Sequence, residues 1–147
     1  MSEMRLQRME IGDKYVTSSH IVTTTDVEQF CTLAGMKLPI FLSDEYVKSD
    51  EERGKIVKLQ GAIIPGQLSF AFFMGSVVSA HLVDDVIVQM ATDRLKWPNP
   101  AYHYDELRTE IEITNKKTIK SGDAIVIEFD WRVKNQNDLV VCEGHNT

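Results

Sequence analysis

The sequence is poor in cysteine, with 2 in 147 residues, and has no Cys-x-x-Cys. Cys31, Cys142 and four scattered histidines make no zinc framework, so no metal site is expected and a reducing, cytoplasmic setting fits best. Basic residues are also scarce. Sixteen Lys and Arg stand against 22 Asp and Glu, a formal net charge of −6. Phosphate backbones are held by clustered cations, so a nucleic-acid partner is not expected. Lys116, Lys117 and Lys120 come nearest to a basic cluster and read as a solvated turn. The N-terminus, MSEMRLQRMEIGDKY, is charged throughout and has no apolar signal core.

One absence is local. No Asp, Glu, Lys or Arg occurs between Leu59 and Val83. That length would span a bilayer. Yet Gly61, Pro65, Gly66, Gln67, Ser69, Gly75, Ser76, Ser79 and His81 interrupt it, and amphipathic strands follow that need a core. The expectation is a helix from Pro65 to about Leu82, buried on nearly all sides, and no membrane span.

What is present is ordinary globular material: 43% hydrophobic and 26% charged residues, consistent with one domain over residues 1–147. Thr23 and Asp26 have capping-box spacing, and Val27, Phe30, Cys31 and Ala34 recur on one helical face up to a stop at Gly35. A turn runs through Pro39. Ser43 caps a short helix over DEYVK, and residues 48–61 read as a polar loop of the kind that forms a lid or rim. Beyond Asp84-Asp85 the period changes to two. A long strand is expected from Val86 to Trp97, with a corner at WPNP. Alternating strands follow over Leu107–Ile113 and Ile125–Val133, and another begins at Leu139–Cys142. Glu128 and Asp130 share one face, read as solvated. Helices followed by strands predict an α+β domain. A helix apolar all round must be covered all round, and a curved antiparallel sheet wrapped around a long central helix, the hot-dog fold, does so. Its open edge predicts a dimer or larger assembly.

From about His20 onward the chain resembles the MaoC-like hydratase/dehydratase family, which includes (R)-specific enoyl-CoA hydratases. The resemblance is carried by TTTDVEQFCTLAG, PIFLSDEY, IIPGQLSFAFFMGSVV, RLKWPNPAYHYDELRTEIEI and SGDAIVIEFDWRVKNQNDLVVCEG, in that order and spacing. It implies the hot-dog fold, a place in lipid metabolism, an acyl-CoA or acyl-carrier thioester as ligand, and no cofactor. The family signature is Gly-Asp-x-Asn-Pro-x-His, whose Asp and His activate the water that adds across an enoyl thioester. Here the run is Gly35-Met36-Lys37-Leu38-Pro39-Ile40-Phe41. Gly35 and Pro39 keep the frame, but Met36, Leu38 and Phe41 replace the Asp, Asn and His, and none of these can move a proton.

Gly66 matches the glycine whose N–H, at the start of the central helix, faces the thioester carbonyl in the family. A plain helix start explains Pro65-Gly66 equally well. Met36, Leu38, Phe41, Phe70 and Phe73 are candidates for an acyl-tunnel wall.

Three functions follow. The first is a non-catalytic subunit that works with a catalytic MaoC-like partner in a heteromeric enoyl-CoA hydratase. The second is a self-sufficient hydratase, dehydratase or thioesterase that uses Asp44, His81 or His103, acting alone or as a homo-oligomer. The third is a non-enzymatic acyl-CoA-binding or structural protein. Each substitute group also has a plain reading. Asp44 suits the first turn of a capped helix, His81 a helix C-terminus, and His103 an aromatic cluster with Tyr102 and Tyr104.

Overall fold

In the computed structural model, which describes residues 5–147, the chain forms eleven helices and strands after a single 3-10 turn at Leu6–Arg8. These are β1 (Lys14–Val16), β2 (His20–Ile21), α1 (Thr24–Ala34), α2 (Pro39–Leu42), α3 (Asp44–Ser49), α4 (Glu51–Gly54), α5 (Gly66–Ser79), β3 (Thr92–Lys96), β4 (Glu106–Thr118), β5 (Ile125–Lys134) and β6 (Val140–Asn146). The strands pair antiparallel in the order β1-β4-β5-β6-β3, with β2 also on β4, in one curved sheet. The β4–β5 register shifts between Ile113 and Asn115, and such an irregularity bends a strand and increases its twist.

The capping box of α1 is complete. The Asp26 N–H donates to Thr23 Oγ1 at 3.2 Å, and the Thr23 N–H to Asp26 Oδ2 at 2.9 Å. A cap of this kind stabilises a helix by about 1 kcal/mol. Gly35 ends α1 in the left-handed region at φ 71°, a conformation that suits glycine because it has no Cβ. Val27 and Cys31 put the inner face of α1 into the core. Ser43 caps α3 by accepting from the Tyr46 N–H at 3.1 Å.

α5 lies on the concave side of the sheet, against β4, β5 and β6. Period-two burial is clean where it meets them: Leu107, Thr109, Ile111 and Ile113 on β4, and Phe129, Trp131 and Val133 on β5, are all buried. Phe73 stacks on Trp131 with ring centroids 3.9 Å apart and planes 3° apart. The Trp131 indole N–H donates to Asn146 Oδ1 at 2.9 Å. The Ser76 hydroxyl donates to Thr109 Oγ1 at 2.6 Å, so the polar groups along this contact are bonded.

Four expectations need correction. The central helix stops at Ser79, and one flank is uncovered in the single chain. Ser69, Phe73 and Val77 are buried, whereas Gln67, Ala71, Gly75 and Val78 are exposed. No helix among the described residues is long and apolar enough to cross a membrane. The strand expected from Val86 to Trp97 is confined to Thr92–Lys96, which pairs β6 from Thr92 opposite Asn146; ahead of it Met90 and Ala91 bond only Thr147. Val86, Ile87, Val88 and Met90 are exposed. Lys116 is not part of a solvated turn. Its ammonium donates to the carbonyls of Gln7 and Met9 at 2.8 and 3.0 Å, fastening the segment after Leu6 to β4. Glu128 and Asp130 do not form a purely solvated face either. His145, across the β5–β6 pair, reaches Asp130 Oδ1 at 2.7 Å and Glu128 Oε1 at 3.1 Å.

Candidate functional site

A cleft of about 580 Å³ opens at the first turn of α5. That volume lies within the ordinary range of small-molecule sites. One wall comes from the helical segment before α5, through Ile40, Arg53, Val57 and Leu59. Ile63 and Ile64 continue it, Gly66, Gln67 and Ser69 form the base, and Trp97, Asn99, Pro100 and Ala101 form the opposite wall.

Local bonds hold this shape. The Ile63 N–H donates to the Ile40 carbonyl at 3.0 Å and the Ile64 N–H to that of Ala101 at 2.7 Å, so residues 63–64 are strapped to both walls. Pro65 precedes the helix without an N–H to leave unpaired. The Trp97 indole N–H donates to the Gly66 carbonyl at 2.8 Å and lays its ring against the helix start. Here the absent side chain matters: a Cβ on Gly66 would stand 2.6 Å from Trp97 Nε1. The N–H groups of Gly66 and Gln67 fall in the first turn, where a helix supplies no acceptor of its own. They belong to a 14-residue helix whose dipole is positive at this end.

The lining is mainly apolar. Its one charged side chain is Arg53, and no Asp, Glu, His, Cys, Tyr or Lys contributes. The cleft can therefore bind and polarise a carbonyl group, but it offers no side chain suited to exchanging a proton with water near neutral pH.

Of the residues singled out by sequence, Gly66 alone lines the cleft. Met36 and Phe41 are half-buried against the core, and Leu38 is 55% exposed. Phe70 and Phe73 stack with Trp131. Asp44 braces the wall from behind, Oδ1 accepting from the Ala62 N–H at 2.6 Å. His103 joins two helices. Its Nε2–H donates to the Phe41 carbonyl at 2.8 Å, which leaves Nδ1 to accept from the Thr24 hydroxyl at 2.9 Å. His81, at φ 58° just beyond α5, pairs with Asp84 at 2.9 Å. Among the described residues, no group of three or more His, Cys, Asp or Glu is placed to hold a metal.

Arg53 and Trp97 were not among the sequence candidates. WPNP marked the corner but not the direction of its tryptophan. Arg53 sits in Glu-Glu-Arg-Gly, a run indistinguishable from solvated loop, and only the packing of α3 and α4 brings it to the cleft.

Sheet and central helix together form the hot-dog fold, and solved structures of MaoC-like proteins share it. A MaoC-like dehydratase from Rhodospirillum rubrum superposes with a TM-score of 0.76 at 23% identity, covering 97% of this chain and 93% of that one. The (R)-hydratase from A. caviae involved in PHA biosynthesis gives 0.74 at 19%, covering 95% and 96%. The HadBC complex from Mycobacterium tuberculosis, a 3R-hydroxyacyl-ACP dehydratase, gives 0.68 at 17%, covering 95% and 96%. In sequence the chain is similar to the uncharacterized protein YdeM of Bacillus subtilis, 27% identical over 142 residues and covering 96% of this chain and 94% of YdeM. No family model matches the chain.

Proposed function

We propose that this chain binds an acyl thioester at the first turn of α5 and serves as the non-catalytic subunit of a heteromeric, cytoplasmic enoyl-thioester hydratase of lipid metabolism. The observation that carries the proposal is the lining of the cleft. It combines a helix start that can polarise a thioester carbonyl with no acid–base side chain beside it. Hydration needs a base to take a proton from water and an acid to protonate the neighbouring carbon. A catalytic hot-dog subunit would bring both. Gly66 and the first turn of α5 would hold the carbonyl oxygen as it gains negative charge.

Two further observations support a partner. The bare flank of α5 and the exposed Val86, Ile87, Val88 and Met90 give apolar area for a second subunit to cover. HadBC, which shares the fold, is itself a complex.

The test compares the chain alone with the chain co-expressed and co-purified with a hot-dog subunit that carries Gly-Asp-x-Asn-Pro-x-His, using crotonyl-CoA as substrate. Each missing acid or base costs about 10²–10⁴-fold, so the lone chain is expected to be close to inactive. The complex is expected to turn over at about 1–10³ per second. A lone chain working at that rate would overturn the proposal and turn attention to Asp44, His81 and His103.

A further inference from the structure

Ser69 lines the cleft at the end of the first turn of α5 and is 2% exposed. Its hydroxyl has no hydrogen-bond partner among the described residues, and the reason is local. A serine inside a helix ordinarily bonds a carbonyl three or four positions back. Here those carbonyls are engaged. That of Gly66 accepts from the Trp97 indole N–H at 2.8 Å, and that of Pro65 accepts from the Leu68 and Ser69 N–H groups at 2.9 and 3.2 Å. Ser76, further along the same helix, bonds Thr109 Oγ1 at 2.6 Å instead. Ser69 has no such neighbour: Ile64, Ala101 and Val141, which line the cleft with it, are buried and apolar. Its Oγ is not sealed in, as the unpartnered Nη1 of Arg53 is. The small part of Ser69 left accessible therefore includes the hydroxyl oxygen, and the cleft is the space it opens to.

We infer that Ser69 sets the specificity of the cleft by bonding an oxygen on the third carbon of the acyl chain, so that a 3-hydroxyacyl thioester is held in preference to one without that oxygen. The inference rests on the thioester reading and adds to it the side of the hydration that this chain retains.

Three features select that oxygen. The carbonyl is placed at the N–H groups of Gly66 and Gln67, and Ser69 follows Gly66 by three positions, on the same side of the helix. An oxygen on the third carbon is four bonds from the carbonyl oxygen, and four bonds reach no further than one helical turn of about 5.4 Å. A ligand hydroxyl can donate to Oγ or accept from it. A plain hydrocarbon chain in the same place would cover the serine hydroxyl and leave it unpaired, which is how a site rejects an analogue that lacks the matching group. The other polar groups of the lining make no such demand. The Gln67 amide is exposed to water, and Arg53 Nη2 is taken by Asp50 and Tyr46.

The experiment is calorimetric titration of the intact protein with 3-hydroxybutyryl-CoA and butyryl-CoA, which differ by one hydroxyl. Wild type is expected to bind the first about tenfold tighter, the scale of one satisfied against one buried, unpaired hydroxyl. Ser69→Ala loses no hydrogen bond within the protein, and a melting scan checks that it folds. It is expected to move the two ligands in opposite directions, weakening 3-hydroxybutyryl-CoA and strengthening butyryl-CoA, a crossing that general damage to the cleft does not produce. 4-Hydroxybutyryl-CoA, with the hydroxyl one carbon further, should bind wild type no better than butyryl-CoA, and equal service from that hydroxyl would overturn the assignment to the third carbon. If Ser69→Ala weakens both thioesters equally, the serine is structural and the inference fails. If wild type binds both alike and Ser69→Ala changes neither, the inference fails while the thioester reading stands. If neither binds wild type or variant, the thioester reading falls and takes the inference with it.

Discussion

The indole of Trp97 and the α-carbon of Gly66 occupy complementary space. The ring nitrogen donates to the Gly66 carbonyl at 2.8 Å, while a methyl on Gly66 would sit 2.6 Å from that nitrogen and 2.8 Å from the adjoining ring carbon. Each residue sets what the other can be.

Gly66→Ala is therefore expected to displace the indole. Trp97 is 44% exposed, so it can swing outward, at the cost of its hydrogen bond and about 1 kcal/mol of stability. Tryptophan emission should shift to the red. In a Trp97→Ala background the same glycine change should cost nothing, since alanine is the better helix former. Urea denaturation of wild type and the three variants gives the coupling. Additive effects would show that the two residues do not share this space.

Phe73 lies flat on Trp131, and both are fully buried. Phe73→Ala should destabilise by about 3–5 kcal/mol, the range for buried aromatic truncations. Phe73→Leu keeps most of the volume and should cost markedly less. Chemical denaturation measures both, and equal losses would mean that ring geometry, not filled volume, holds the centre.

His145 makes stability depend on pH. Burial favours its neutral form, but the hydrogen bonds it donates to Asp130 and Glu128 outweigh that and raise its pKa above 6.5, with Arg94 opposing them. A group with a raised folded pKa contributes fully below its unfolded pKa and loses that contribution as pH rises through the folded one. Stability should accordingly fall as pH rises above the ordinary histidine value of about 6.5. Toward acid a second loss is expected, because hydrogen bonds from Asn115 and His145 hold the Glu128 carboxyl below its usual value. The decline above neutrality should vanish in His145→Gln. If it persists there, another group is responsible.

Both thiols should be inert in the native protein. Cys31 and Cys142 are buried. Burial, with the nearby Glu143 charge, pushes the Cys142 thiol up to about 12, and burial also raises Cys31. Thiolate, not thiol, is the nucleophile. Titration with a disulfide reagent at pH 8 should register no thiol in buffer and both in denaturant. Prompt reaction of either in buffer would show an opening that the fold does not contain.

The elements legible in the sequence are those with local causes. Thr23, Asp26 and Gly35 mark the ends of α1 with groups that bond within a few residues. Leu107 to Ile113 alternate because one face of β4 meets the core. Val86 to Met90 look like strand because β-branched residues favour extended backbone, yet a strand also needs a partner, and in this stretch only Met90 reaches β6's end, its N–H donating to the Thr147 carbonyl at 2.9 Å. The apolar circumference of α5 foretold its central position but not its bare flank. In the site, Gly66 was legible from the Pro-Gly start of the helix. Arg53 was not, since its exposure depends on how two short helices fold back. His145 was equally hidden, because its acidic partners stand 15 and 17 positions away and become neighbours only through the β5–β6 register.

The lysine that fastens the N-terminal turn has a consequence for the order of assembly. Leu6 and Met9 are core residues, and the carbonyls that Lys116 grips are more than a hundred positions earlier in translation. That grip cannot form until the far end of β4 has been made, so Leu6 and Met9 are fastened by it only long after they are synthesised. Contacts of such long sequence separation slow folding. A nascent chain halted before Lys116 would therefore leave Leu6 and Met9 within reach of a chaperone.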